Sequence, residues 1–135
     1  IGLGIALEKI NRKVFAIDGD GAFLMHMGFL ANIGSIKPKN FYHILINNKV
    51  HESVGGQNTA AKDIDLSNII KGIGYSEQFI ALTKKELKKN IIRLINSQGP
   101  SFLEVIVRPG SRDDLGRPSI KPINNKFDFM EFLDE

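Results

Sequence analysis

Four short apolar runs, Val14 to Asp18, Phe41 to Asn47, Gln78 to Leu82 and Phe102 to Arg108, alternate with stretches of helical spacing, and this alternation narrows the fold more than any other feature. A first helix reaches about Asn11, and a second is expected from Ala22 to about Ser35, before Pro38. A short helix near Leu66 to Lys71 precedes the third strand. Thr83 with Glu86 forms a capping box for an amphipathic helix to about Gln98, which Gly99-Pro100 stops. A last helix is expected over Lys126 to Leu133, leaving loops at Lys49 to Lys62 and Pro109 to Pro118. Strands alternating with helices bury their apolar faces as an α/β fold, a parallel sheet flanked by helices on both faces. Ligands of such sheets bind beyond the carboxyl ends of the strands. The loops after Asp18, after Asn47 and over Ser111 to Pro118 are therefore expected to gather on one edge.

At 135 residues, 42% hydrophobic and 24% charged, the chain is the size of one globular domain. It has no cysteine, so disulfide frameworks and thiolate metal sites are excluded, a usage compatible with a cytoplasmic setting. The net charge of +3 is mild, and its densest basic stretch, Lys84 to Lys89, falls in a helical pattern as a solvated face, so no nucleic-acid partner is expected. Ile1 to Leu7 is apolar, lacks a preceding basic segment and is too short to cross a membrane. It reads as the second half of a helix, which makes residues 1–135 an N-terminally truncated domain, a fragment of a longer chain. Gly2-x-Gly4 follows no strand and is assigned to close helix packing rather than to a dinucleotide.

Two polar turns carry the chemistry. Gly19-Asp20-Gly21 follows the first strand and Asn47-Asn48 ends the second. The pair resembles the thiamine-diphosphate motif of 2-oxo-acid decarboxylases and transketolase-like enzymes. The resemblance extends through His51-Glu52-Ser53-Val54-Gly55-Gly56-Gln57 and Ser111-Arg112-Asp113-Asp114-Leu115-Gly116-Arg117-Pro118, segments similar to those of the phosphonopyruvate decarboxylases. The Gly-Gly-Gln portion is also similar to the sulfopyruvate decarboxylases. The resemblance implies a diphosphate-binding domain in which the side chains of Asp20 and Asn48 and the Val50 carbonyl hold Mg2+. Gly19 brackets the turn, and Gly21 and Ala22 offer N–H groups to thiamine diphosphate. The residue types suit that role, because a hard divalent cation takes oxygen ligands and keeps phosphate oxygens in its shell. Glycine permits close backbone approach, and a helix opening at Ala22 favours an anion.

The implied reaction is decarboxylation of phosphonopyruvate to phosphonoacetaldehyde, the cofactor acting as electron sink. The family's activating glutamate and pyrimidine-binding domain are not in these residues; a missing N-terminal part or a partner subunit would supply them, in a homo-oligomer. A non-catalytic module binding magnesium diphosphate and an unrelated α/β phosphate-binding protein are the alternative classes. His51 is read either as a diphosphate contact or proton shuttle, or as an ordinary loop histidine. His26 and His43 are assigned to structural packing, Asp18 to capping backbone N–H groups, and Met25, Met27 and Phe29 to the core. Arg112 and Arg117 suit a phosphonate dianion, with loop-locking as the competing role.

Overall fold

A computed structural model describes all 135 residues. Helix α1 (Gly2–Glu8) leads to strand β1 (Val14–Gly19), helix α2 (Asp20–Met25), helix α3 (Leu30–Ile36) and strand β2 (Phe41–Asn47). After the loop come α4 (Leu66–Ile73), β3 (Glu77–Ala81), α5 (Lys84–Asn96), β4 (Ser101–Ile106) and α6 (Pro122–Asp134). The four strands form one parallel sheet in the order β1-β2-β4-β3. The sheet is covered on both faces, as the alternation requires. Leu3, Ala6, Phe23, Leu30, Ile33, Leu66 and Ile70 pack on Phe41, Leu45 and Phe102, so α1 to α4 share one face. Leu94 of α5, with Leu87 and Ile91 beside it, packs on Tyr42, Phe79, Leu103 and Val105 on the other. β4 lies inside the sheet and is buried from Ser101 to Val105, which accounts for a sequence that is apolar on both faces apart from Ser101 and Glu104.

Several boundaries differ from expectation for identifiable reasons. The helix expected from Ala22 to Ser35 is two helices joined by a 3-10 turn over Met27–Phe29, because His26 leaves helical geometry at φ −121° and ψ 18°. Met25, two residues from buried Phe23 in α2, and Phe29, beyond the break, face outward at 69% and 51% exposure, so neither belongs to the core; Met27 does pack against it. The last helix starts earlier than expected, with Pro122 in its first turn, where a missing N–H costs nothing. The capping box is present as expected: Thr83 Oγ1 accepts from Glu86 N at 3.2 Å, and Glu86 Oε2 accepts from Thr83 N at 3.0 Å. No helix is long and apolar enough to cross a membrane.

Helices α3 and α4 approach closely through Gly34, where a Cβ would run into the Ile73 carbonyl. A methyl group there must push the helices apart. Gly34→Ala is expected to cost about 1–3 kcal/mol in urea denaturation. The control Gly4→Ala, in a helix with nothing within 4 Å, should be neutral or stabilising. Equal behaviour of the two variants would contradict the packing.

Candidate functional site

The carboxyl ends of β1 and β2 are neighbours, Gly19 lying opposite Ile46, so the Gly19-Asp20-Gly21 turn and the Asn47-Asn48 pair meet on one sheet edge. A cavity of about 440 Å³ opens between them. Gly19, Asp20, Gly21, Ala22, Asn48, Val50 and His51 all line it, so every residue expected at the cofactor lies at one place. Gly19 has extended geometry and caps α2, which makes Asp20 the first helical residue. The Asp20 carboxylate is turned inward, 2% exposed, and accepts a short hydrogen bond from Thr59 Oγ1 through Oδ2. None of the chain's ion pairs includes it. A buried carboxylate with one neutral donor and no cation from the chain is a group that a metal ion would satisfy.

The second wall is built by the segment after β2. Asn48 Oδ1 accepts from Val50 N at 3.1 Å, leaving a second lone pair, while its Nδ2 donates to Glu52 Oε2 at 2.8 Å. Val50 bridges Asn58 antiparallel, His51 N donates to Gln57 O at 2.7 Å, and Thr59 N donates to Lys49 O at 2.9 Å. Residues 49–59 thus fold back as a hairpin against the start of α2. His51 faces Gly21 so closely that a Cβ on Gly21 would sit 2.8 Å from its Nδ1. The expected donor set, one carboxylate, one amide oxygen and one backbone carbonyl from residues that line the cavity, is all oxygen and so would fit a hard cation such as Mg2+. No group of three or more His, Cys, Asp or Glu side chains is placed to hold a metal by itself.

Arg112 and Arg117 lie outside the cavity on the exposed loop after β4, and Arg112 Nε pairs with Asp114 Oδ1 at 3.3 Å. His26 is exposed rather than packed, a consequence of the helix break it makes. Asp18 does not cap backbone N–H groups. The register pairs Ala16 with His43, so Asp18 sits diagonally from His43 on the same sheet face, and His43 Nε2 lies 2.8 Å from Asp18 Oδ2. Nδ1 of this buried imidazole is 3.2 Å from the Tyr75 hydroxyl. With Asp18 as acceptor, Nε2 donates and the tyrosine O–H donates to Nδ1. The hydrogen bond from His43 holds the Asp18 carboxyl below its ordinary pKa, against a smaller opposing effect of burial. Burial, and then the Asp18 charge, pushes the Tyr75 hydroxyl well above the usual tyrosine range, so it stays a donor.

Thr59, Glu52 and Glu104 are site residues that sequence reasoning misses. Thr59 stands in a polar loop without periodicity, and only the fold-back of the hairpin brings it to Asp20. Glu104 does carry a signal: it is a carboxylate in the middle of the apolar run Phe102 to Arg108. It is buried, and accepts from Asn47 Nδ2 at 2.7 Å.

Residues 1–105 match the family of C-terminal TPP-binding domains of thiamine pyrophosphate enzymes. The chain belongs to this family. The chain is 35% identical over 98% of its length to phosphonopyruvate decarboxylase of Streptomyces viridochromogenes, of which it covers 33%. It is 34% identical, again over 98% of its length, to the sulfopyruvate decarboxylase subunit beta of Methanococcus maripaludis, covering 70% of that protein. The chain therefore spans about a third of the phosphonopyruvate decarboxylases it matches. A solved structure of an enzyme assigned as thiamin diphosphate-dependent, from Mycobacterium smegmatis, superposes with a TM-score of 0.65 at 23% identity, over 81% of this chain and 20% of that one. The fold expected from the sequence is thereby shown.

The lowered Asp18 pKa has a consequence for acid stability. A carboxyl depressed in the folded state stabilises fully above its unfolded pKa of about 3.8, and that contribution fades as pH falls through the lower folded value. Asp18→Asn should therefore be less stable than the parent at pH 7, with the gap narrowing below about pH 4 in urea melts. A gap independent of pH would contradict the hydrogen-bond account.

Proposed function

We propose that residues 1–135 are the diphosphate- and Mg2+-binding part of a thiamine-diphosphate-dependent decarboxylase that converts phosphonopyruvate to phosphonoacetaldehyde and carbon dioxide. The observation that carries this reading is the buried, cation-free Asp20 at the cavity where Asn48 and Val50 converge. The similarity to phosphonopyruvate decarboxylases over nearly the whole chain supports the substrate. Asp20, the Asn48 side-chain oxygen and the Val50 carbonyl would hold Mg2+. Gly19 lines the same cavity, and Gly21 and Ala22 would offer backbone N–H groups to the diphosphate at the start of α2. His51, packed against Gly21, would stand beside the phosphates. Bound there, thiamine diphosphate supplies the electron sink for loss of carbon dioxide from a 2-oxo acid.

The pyrimidine half of the cofactor and its activating glutamate require a second domain, from another part of the same protein or from a partner subunit in a homo-oligomer. A second reading, the subunit of a split sulfopyruvate decarboxylase, is favoured by one observation: the 34% identity to the Methanococcus beta subunit runs over 98% of the chain. Phosphonate and sulfonate differ by one charge, which makes the anion-binding residues the discriminating ones. Arg112 and Arg117 are the candidates, carried by the loop that follows β4 at the same sheet end as the cavity.

Asp20→Ala in the full-length protein should weaken Mg2+-dependent thiamine diphosphate binding by about tenfold to a hundredfold in titration calorimetry, with circular dichroism unchanged. Asn48→Ala should do so more mildly. Full affinity in a folded Asp20→Ala protein would reject the metal assignment. For the substrate, Arg112→Ala or Arg117→Ala should lower kcat/KM for phosphonopyruvate by about one to two orders of magnitude and for pyruvate by less. An equal fall for both substrates, or none, would remove the arginines from substrate binding.

A further inference from the structure

Asp20 and the hairpin opposite it are joined by a chain of hydrogen bonds that begins on β4. Glu104 Oε1 accepts from Asn47 Nδ2 at 2.7 Å, and Asn47 Oδ1 accepts from Lys49 N at 3.0 Å. Both side chains are buried, at 6% and 1% exposure. Lys49 takes the left-handed conformation, φ 63°, uncommon for a residue with a side chain, and this aims its carbonyl at Thr59 N, 2.9 Å away. Thr59, 2% exposed, is thereby held with its hydroxyl on Asp20 Oδ2. Residues of two strands and one loop thus lead to a single carboxylate oxygen.

We propose that Thr59 is a positioning residue that sets the ion selectivity of the site by occupying one oxygen of Asp20. The inference rests on the reading of Asp20 as a cation ligand. A hydroxyl has one proton to donate; given to Oδ2, it takes one of that oxygen's two lone pairs, which favours Oδ1 as the oxygen for a metal and disfavours ligation through both oxygens at once. Mg2+ demands near-octahedral geometry at about 2.0–2.1 Å, which a fixed single oxygen serves, whereas the larger Ca2+ accepts carboxylates through both oxygens and tolerates variable geometry. Releasing Oδ2 should therefore harm Mg2+ more than Ca2+. The buried Glu104-Asn47 pair acts at a distance, by holding the Lys49 turn that delivers Thr59.

The test measures thiamine diphosphate binding to the full-length protein by calorimetry, titrating Mg2+ and Ca2+ separately for half-saturation. Thr59→Val keeps the shape and removes the donor; Thr59→Ser keeps the donor. Thr59→Val is expected to raise the Mg2+ requirement about tenfold and the Ca2+ requirement about threefold or less, shifting the ratio toward Ca2+, while Thr59→Ser stays within about threefold of the parent for both. A merely structural role for Thr59 would move the melting temperature and leave the ratio unchanged. Equal shifts for both ions, or none, would overturn the inference. Asn47→Ala, which leaves Thr59 in place but cuts its support, should shift the ratio the same way by a smaller factor and keeps the question decidable if Thr59→Val does not fold. A folded Asn47→Ala protein with the parent's ratio would remove the ladder from Glu104. If the parent protein bound the cofactor equally well without any divalent ion, the reading of Asp20 would fail instead.

Discussion

A carboxylate buried at the end of an edge strand is the constraint on which the rest of this structure depends. Taking Asp20 out of water costs several kcal/mol if the charge is left uncompensated, so the surrounding chain has to meet it with donors or a cation. The chain supplies one neutral donor, Thr59, and no cation. Everything near the sheet edge is arranged around that shortfall: Gly19 starts a helix on the carboxylate, the hairpin of residues 49–59 folds back over it, and Asn48 and the Val50 segment line the same cavity. A fold stabilised for its own sake would place an apolar residue at this position. The polar interior makes physical sense as a seat for a charged guest.

The sheet supplies rigidity to this seat at several points. β1 brings Asp20, β2 brings Asn47 and Asn48, and β4, between β2 and β3, contributes Glu104 from its buried length. Beneath the turn, His43 ties Asp18 of β1 to Tyr75, so the strand that ends in the glycine turn is fixed from below by one hydrogen-bond chain and the hairpin above it by another. The two chains share no residue. One anchors the strand that leads into Asp20, and the other anchors the loop that carries Thr59. The hairpin is the more exposed of the two walls, with Glu52 to Gln57 open to solvent.

Most of the architecture is legible in the sequence because strand runs and capping signals are local. The capping box at Thr83 and Glu86 and the apolar run of β4 need only neighbouring residues to be recognised. The glycine turn and the asparagine pair are legible as a site because each directly follows a strand. What escapes depends on three-dimensional pairing. Local spacing makes Asp18 a cap, yet the parallel register sets it diagonally from His43, 25 residues away in sequence. Thr59 is 39 residues from Asp20, in a loop whose return path no periodicity announces. Apolar character assigns Met25 and Phe29 to the core, but Met25 falls on the face of α2 opposite buried Phe23, and the break at His26 takes Phe29 out of that helix's phase. The arginines at 112 and 117 remain on an exposed loop, where sequence chemistry alone does not dictate a contact.

The most direct test of the central claim is a crystal structure of the full-length protein with thiamine diphosphate and Mn2+ in place of Mg2+, recorded at a wavelength where manganese scatters anomalously. One anomalous peak is expected in the cavity beside Gly21, about 2.0–2.3 Å from one Asp20 oxygen, the Asn48 side-chain oxygen and the Val50 carbonyl, with Thr59 still bonded to the other Asp20 oxygen. A cofactor bound with its metal elsewhere, and Asp20 left buried without a cation, would contradict the claim.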